Sequence, residues 1–112
     1  KIEKARKASD ITNSTILFKG NDTVISSPKK ITLISKDSSS FLSTAGSGDI
    51  LAGICGGLIA QGIKSHAAAA AASWLHNEIG FEAGPGLIAE DMSNFLSKVM
   101  SNKFKSIYQK MN

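Results

Sequence analysis

The sequence predicts an α/β fold, with short strands first and packed helices after them. Three observations carry this. Three β-prone runs lie between residues 15 and 35. A glycine-rich turn at residues 43–49 opens directly into an apolar stretch. An alanine run and further helical patterns fill the second half. With 112 residues and 42% hydrophobic content, the chain is one domain at most and is not disordered in composition.

Each element follows from local chemistry. Lys1-Ile2-Glu3-Lys4-Ala5-Arg6-Lys7-Ala8 reads as the middle or end of a helix reaching about residue 10. This opening, with Lys1 rather than Met, sets the expectation of a fragment or processed product. Residues 10–14 are polar and turn-prone. Thr15-Ile16-Leu17-Phe18 is a continuous apolar run, the pattern of a strand buried on both faces, and it ends at Lys19-Gly20-Asn21-Asp22. Thr23-Val24-Ile25-Ser26 is a second strand. Ser27-Pro28-Lys29-Lys30 makes a turn, and Ile31-Thr32-Leu33-Ile34 is a third strand. A polar loop, Lys36-Asp37-Ser38-Ser39-Ser40, leads to the glycine turn.

The helix after that turn should run to about Gln61, with Gly62 as its stop. Its Gly53, Gly56 and Gly57 imply close packing against a sheet or a neighbouring helix. Ser65 is placed to cap the next helix, which carries Ala67 to Ala72 and continues through Trp74, Leu75 and His76 to about Gly80. Gly84-Pro85-Gly86 breaks the chain. A last helix covers roughly residues 89–100, with Glu90 and Asp91 in its first turn, and residues 101–112 form a further amphipathic helix.

Composition narrows the function. The net charge of +4 sits mainly at Lys1, Lys4, Arg6 and Lys7 and at Lys98, Lys103, Lys105 and Lys110, the pattern of solvated helix faces. The few aromatics are not interleaved with these cations, which argues against nucleic-acid binding. The single cysteine, Cys55, has no disulfide partner and no metal-ligand spacing around it. It reads as a small buried apolar group in a cytoplasmic protein, and no metal site is expected. Residues 50–60 are too short and glycine-rich for a membrane span. His66 reads as a solvated first-turn residue, His76 as a hydrogen-bonded, half-buried one, and Trp74 as core. Capping and solvation explain Glu82, Glu90 and Asp91.

Chemistry concentrates in Ser43-Thr44-Ala45-Gly46-Ser47-Gly48-Asp49. Glycines let the backbone approach a ligand closely. The first turn of a helix offers unpaired N–H groups and a partial positive charge, so turn and helix start together make an anion site. Asp49 sets a carboxylate beside that site. The combination points to chemistry at a phosphate or a hydroxyl.

These residues resemble a family. Thr44-Ala45-Gly46-Ser47-Gly48-Asp49-Ile50-Leu51-Ala52-Gly53-Ile54, with Gly57-Leu58-Ile59-Ala60-Gln61-Gly62, is similar to the C-terminal signature of the ADP/ATP-dependent NAD(P)H-hydrate dehydratases of the ribokinase-like superfamily. Leu17-Phe18-Lys19-Gly20-Asn21-Asp22-Thr23-Val24-Ile25 resembles the family's lysine-glycine hairpin. Residues 69–80 resemble its long helix, and Gly84-Pro85-Gly86-Leu87-Ile88-Ala89-Glu90-Asp91 its final glycine-rich turn. Ser39-Ser40 stand where many members carry Asn-Pro.

The resemblance implies that residues 1–112 are the C-terminal part of a three-layer ribokinase-like domain whose N-terminal half is absent. It implies repair of hydrated NADH and NADPH driven by ADP or ATP, with Mg2+ as a possible companion ion, in a protein expected to be a homo-oligomer when complete. Asp49 would be the catalytic base. Gly46, Ser47 and Gly48 would cradle the phosphates. Lys19, Gly20, Asn21, Asp22 and Thr23 would contact the nucleotide. Two alternatives stand beside this. One is a vitamin-precursor kinase of the same superfamily, using the same turn and aspartate. The other is an inactive truncated remnant. The chain alone is expected to be inactive and prone to self-association, because half a sheet leaves an apolar edge open.

Overall fold

The computed structural model describes residues 1–35, 46–85 and 89–111, without side-chain surroundings for residues 89 and 103–111. The order is α1 (Ile2–Thr12), β1 (Ile16–Phe18), β2 (Thr23–Ser26), β3 (Leu33–Ser35), α2 (Ser47–Ala60) and α3 (Ser65–Ala83). A 3-10 turn (Ala89–Asp91) and α4 (Met92–Met111) complete it. The strands form one antiparallel sheet in the order β1-β2-β3. Ile16 pairs with Ser26 and Phe18 with Val24, and Thr23 pairs with Ser35.

All four residues of β2 are buried, and both α1 and α3 pack on that strand. Successive side chains point to opposite faces of a sheet, so burial of all four requires cover on both sides. Helix α1 supplies one layer and α3 the other, while α2 and α4 pack on α3.

The strands lie where the sequence indicates, but their burial is redistributed. The apolar run at 15–18 forms an outer strand: Ile16 and Leu17 are half-buried and Phe18 is 41% exposed. The polar-ended β2 takes the central place instead. The third strand starts two residues late, because Lys29 turns the chain with φ 60 and leaves Ile31 82% exposed. Pro28 followed by a positive-φ residue, with Lys30 N–H donating to Ser27 O at 3.2 Å, is the geometry of a type II turn.

Helix α1 runs two residues beyond its expected end, into the expected turn, and is capped by Asn13, which is left-handed and donates its N–H to Ser9 O. Helix α2 stops at Gln61, with Gly62 at φ 95 just beyond. Lys64, not Ser65, is the cap residue of α3. The Ser65 hydroxyl lies 2.7 Å from that of Thr15 instead. Residues 92–111 form one continuous helix, not two.

Helix α3 organises the interior. Ala68, Ala69, Ala72, Leu75, His76 and Ile79 recur at helical spacing on its buried side. Ala68 and Ala72 are fully buried, so the alanine run lets its neighbours approach closely. Leu75 and Ile79 meet Met92 and Val99 of α4, with Ile50 and Ile54 of α2 against them. Trp74 departs from its expected core position: it is 46% exposed, because it faces away from this cluster. Helix α2 is also less buried than its apolar composition implies. A Cβ at Gly53, Gly56 or Gly57 would meet nothing within 4 Å among the described residues, so these glycines make no close packing contacts there.

Ser9 Oγ, on the buried side of α1, has no hydrogen-bond partner among the described residues. An unpaired buried hydroxyl is a desolvation cost of about 1 kcal/mol or more. Ser9→Ala is expected to raise unfolding free energy by about 1 kcal/mol, read as a higher urea midpoint.

Candidate functional site: a lysine hairpin against a glycine turn

The glycine turn is built by backbone constraints. Gly46, the cap residue of α2, has φ 86, which a residue with a Cβ rarely adopts. Its carbonyl accepts the N–H groups of Asp49 and Ile50 at 3.2 and 3.3 Å. Ser47, Gly48 and Asp49 are therefore the first three helical residues. The Gly48 N–H makes no hydrogen bond among the described residues, and a Cβ there would meet nothing within 4 Å. Gly48 and Asp49 are exposed, whereas Ser47 is buried. Ser43, Thr44 and Ala45, and the polar loop before them, lie outside the described residues.

The hairpin between β1 and β2 meets this turn. Lys19 Nζ donates to Ser47 Oγ at 3.3 Å, bridging positions 28 apart in sequence. Gly20 and Thr23 close the hairpin: the Thr23 hydroxyl lies 3.2 Å from Gly20 O and 3.4 Å from Gly20 N. Thr23 itself is buried, so its hydroxyl shapes the turn, while Asn21 and Asp22 are exposed. Lys1 Nζ donates to Asp22 O at 2.6 Å and stands 4.8 Å from the Phe18 ring centroid. Lys1 reads from sequence as part of a solvated face. Its hold on the hairpin is a tertiary contact with no sequence signal. The Lys19 ammonium group and a helix N-terminus thus meet, an arrangement suited to phosphate.

His76 joins from α3. It is 2% exposed, and its Nε2 lies 2.9 Å from Ser47 O. A carbonyl only accepts, so Nε2 carries the proton. Burial lowers the ring's pKa below 6.5; the hydrogen bond to Ser47 opposes this, and the charge of Lys19 adds to the lowering. The unfolded ring therefore takes up a proton first as pH falls. The protein should lose stability from about pH 6.5 downward until the folded ring protonates too, and His76→Gln should flatten that dependence in urea titrations at stepped pH.

His66 is not solvated as its sequence position implies: its Nδ1 is 2.6 Å from Ser27 Oγ, which also meets the Thr15 hydroxyl at 2.7 Å. This pins the start of α3 to the end of β2. Cys55 is half-buried, with its thiol 4.0 Å from Ala68 O, and burial raises its pKa. Glu82 pairs with Lys98 at 3.1 Å on the surface, and Glu90 and Asp91 lie in the 3-10 turn before α4. No three His, Cys, Asp or Glu residues converge among the described residues. An apolar groove of about 350 Å³ follows α2 from Asp49 to Gln61, floored by Ile54, Leu75 and Leu96. No helix among the described residues is long and apolar enough to cross a membrane.

This architecture is the C-terminal part of a ribokinase-like α/β fold. An NAD(P)H-hydrate dehydratase family model matches residues 1–102, and the chain belongs to that family. It is 42% identical over 71 residues to the ADP-dependent (S)-NAD(P)H-hydrate dehydratase of Neisseria meningitidis, covering 63% of this chain and 24% of that protein. It is 36% identical over 107 residues to the bifunctional NAD(P)H-hydrate repair enzyme Nnr of Moorella thermoacetica, covering 91% of this chain and 20% of that protein. The ADP/ATP-dependent NAD(P)H-hydrate dehydratase of Bacillus subtilis, co-crystallized with ATP/Mg2+, superposes with a TM-score of 0.79 at 25% identity, over 90% of this chain and 38% of that one. The chain thus spans a fifth to a quarter of the length of these curated relatives.

Proposed function

We propose that this chain is the C-terminal, phosphate-binding part of an enzyme that dehydrates hydrated NADH and NADPH at the expense of ADP or ATP. One observation carries the reading. The Lys19–Ser47 bond brings the hairpin against the glycine turn, with open space at Gly48. Family membership supports the substrate class.

The residues fit a nucleotide. Lys19 and the first-turn N–H groups would hold its phosphates, and Gly20, Asn21, Asp22 and Thr23 would form the hairpin that contacts it. The nucleotide supplies a phosphoryl group that turns the added hydroxyl into a leaving group. Asp49 takes the hydroxyl proton as that oxygen becomes nucleophilic. The N–H groups of residues 46–48 would stabilise charge developing on phosphate oxygens held there. A magnesium ion bound with the nucleotide would be held by its phosphate oxygens and would offset their charge, leaving Asp49 to act as the base.

The same reading holds that a preceding half of the domain completes the substrate pocket and that the complete protein is a cytoplasmic homo-oligomer. The exposed Phe18, Leu33, Ile34, Trp74 and Phe81 support burial against further surface. The chain by itself is expected to be inactive.

The test is an assay of the complete domain with hydrated NADPH, ADP or ATP, and a panel of hydroxylated vitamin precursors. Nucleotide-dependent return of reduced NADPH is expected. Phosphorylation of a precursor with the hydrate untouched would instead establish the kinase, and no turnover of either would mark a remnant.

A further inference from the structure

We propose that His76 is a positioning residue of the nucleotide site, holding the first turn of α2 through its bond to the Ser47 carbonyl. The inference rests on the functional reading above and names a residue that reading leaves without a role.

Ser47 is clamped from two sides. Its hydroxyl accepts from Lys19 at 3.3 Å, and its carbonyl accepts from His76 at 2.9 Å. The first clamp ties the turn to the hairpin after β1, and the second ties it to the middle of α3. A helix start carries no intrahelical bonds on its own N–H groups and frays readily. Phosphate binding by such groups needs them fixed before the ligand arrives, since ordering them during binding weakens affinity. His76 is suited to this. It is 2% exposed, on the longest helix with fully described side-chain surroundings, and one residue from Leu75 and three from Ile79 of the apolar core.

The same geometry couples the ring to the ligand. Lys19 is the charged group whose field reaches His76; it lies beyond β1. Asp49 lies two residues after Ser47 on α2, Glu78 is two residues on along α3, and Lys98 of α4 is engaged by Glu82. Phosphate bound beside Lys19 offsets the field that disfavours the imidazolium. Binding should therefore draw a proton onto His76, and by linkage affinity should rise as pH falls.

The experiment is calorimetric titration of the complete domain with ADP, in buffers of different ionisation enthalpy, between about pH 8 and pH 5. His76→Gln keeps an N–H donor of similar reach, and His76→Leu keeps bulk without a donor. ADP affinity is expected to fall roughly fivefold to tenfold in His76→Leu and to stay within about threefold of wild type in His76→Gln. Proton uptake beyond that of ADP itself is expected in wild type and absent in His76→Gln. Where His76→Leu does not fold, the uptake comparison decides alone. Unchanged affinity in a folded His76→Leu, or equal uptake in wild type and His76→Gln, would overturn the proposal. Wild type that binds neither ADP nor ATP would instead overturn the functional reading, and this one with it.

Discussion

Asp49→Asn in the complete domain is expected to lower turnover by roughly 10²–10⁴, the range for removing a positioned general base. The substitution is nearly isosteric and the side chain is exposed at the third position of α2, so packing is undisturbed. Loss of a carboxylate from a helix first turn costs about 0.3–1 kcal/mol of stability, too little to unfold the protein. Nucleotide affinity should hold or tighten, because a negative charge near the phosphates is gone. The pattern to look for in steady-state kinetics is a fall in kcat with KM for nucleotide little changed. Near-normal turnover would make Asp49 only a helix-start residue.

Gly48→Val should show the opposite pattern. The second position of α2 is open, with nothing among the described residues within 4 Å of an added Cβ, and valine is no worse than glycine within a helix. The variant should therefore fold with wild-type stability. Its branched side chain would occupy the space through which a phosphate reaches the Gly48 N–H. Affinity for ADP and ATP should fall by roughly tenfold to a hundredfold, the scale of losing one hydrogen bond to a charged group. Calorimetric titration beside thermal unfolding separates the two. Normal stability with normal affinity would place the phosphate elsewhere.

The contrast between these variants and the interior shows what the sequence makes legible. The glycine turn and the hairpin are local signals. Gly46 needs a positive φ, and Lys19-Gly20-Asn21-Asp22 separates two β-prone runs, so both features are written in neighbouring residues. Strand positions follow for the same reason. Burial is not local. A continuous apolar run and a central strand look alike, and only pairing order makes β1 the outer strand and β2 the covered one. Trp74 shows the same limit, since a large aromatic in an apolar helix gives no indication of which side that helix buries.

Within the site, sequence names both segments but cannot show that they meet. Lys19 and Ser47 are 28 residues apart, and their bond depends on α3, which packs on β2 and carries α2. His76 was legible as a hydrogen-bonded residue, and its acceptor, Ser47 O, lies 29 residues upstream. Lys1 and His66 carry no marker of their tertiary partners at all. Their roles come from the closeness of α1 to the hairpin and of α3 to the end of β2.

The central claim is that hairpin and glycine turn form one phosphate site. The most direct measurement is an NMR titration of the complete domain with ADP, following the amides of Gly20 and Gly48 together. The account predicts that both shift along one saturation curve, and that Lys19→Met weakens both responses alike. A Gly48 amide that stays in place while Gly20 saturates would contradict it.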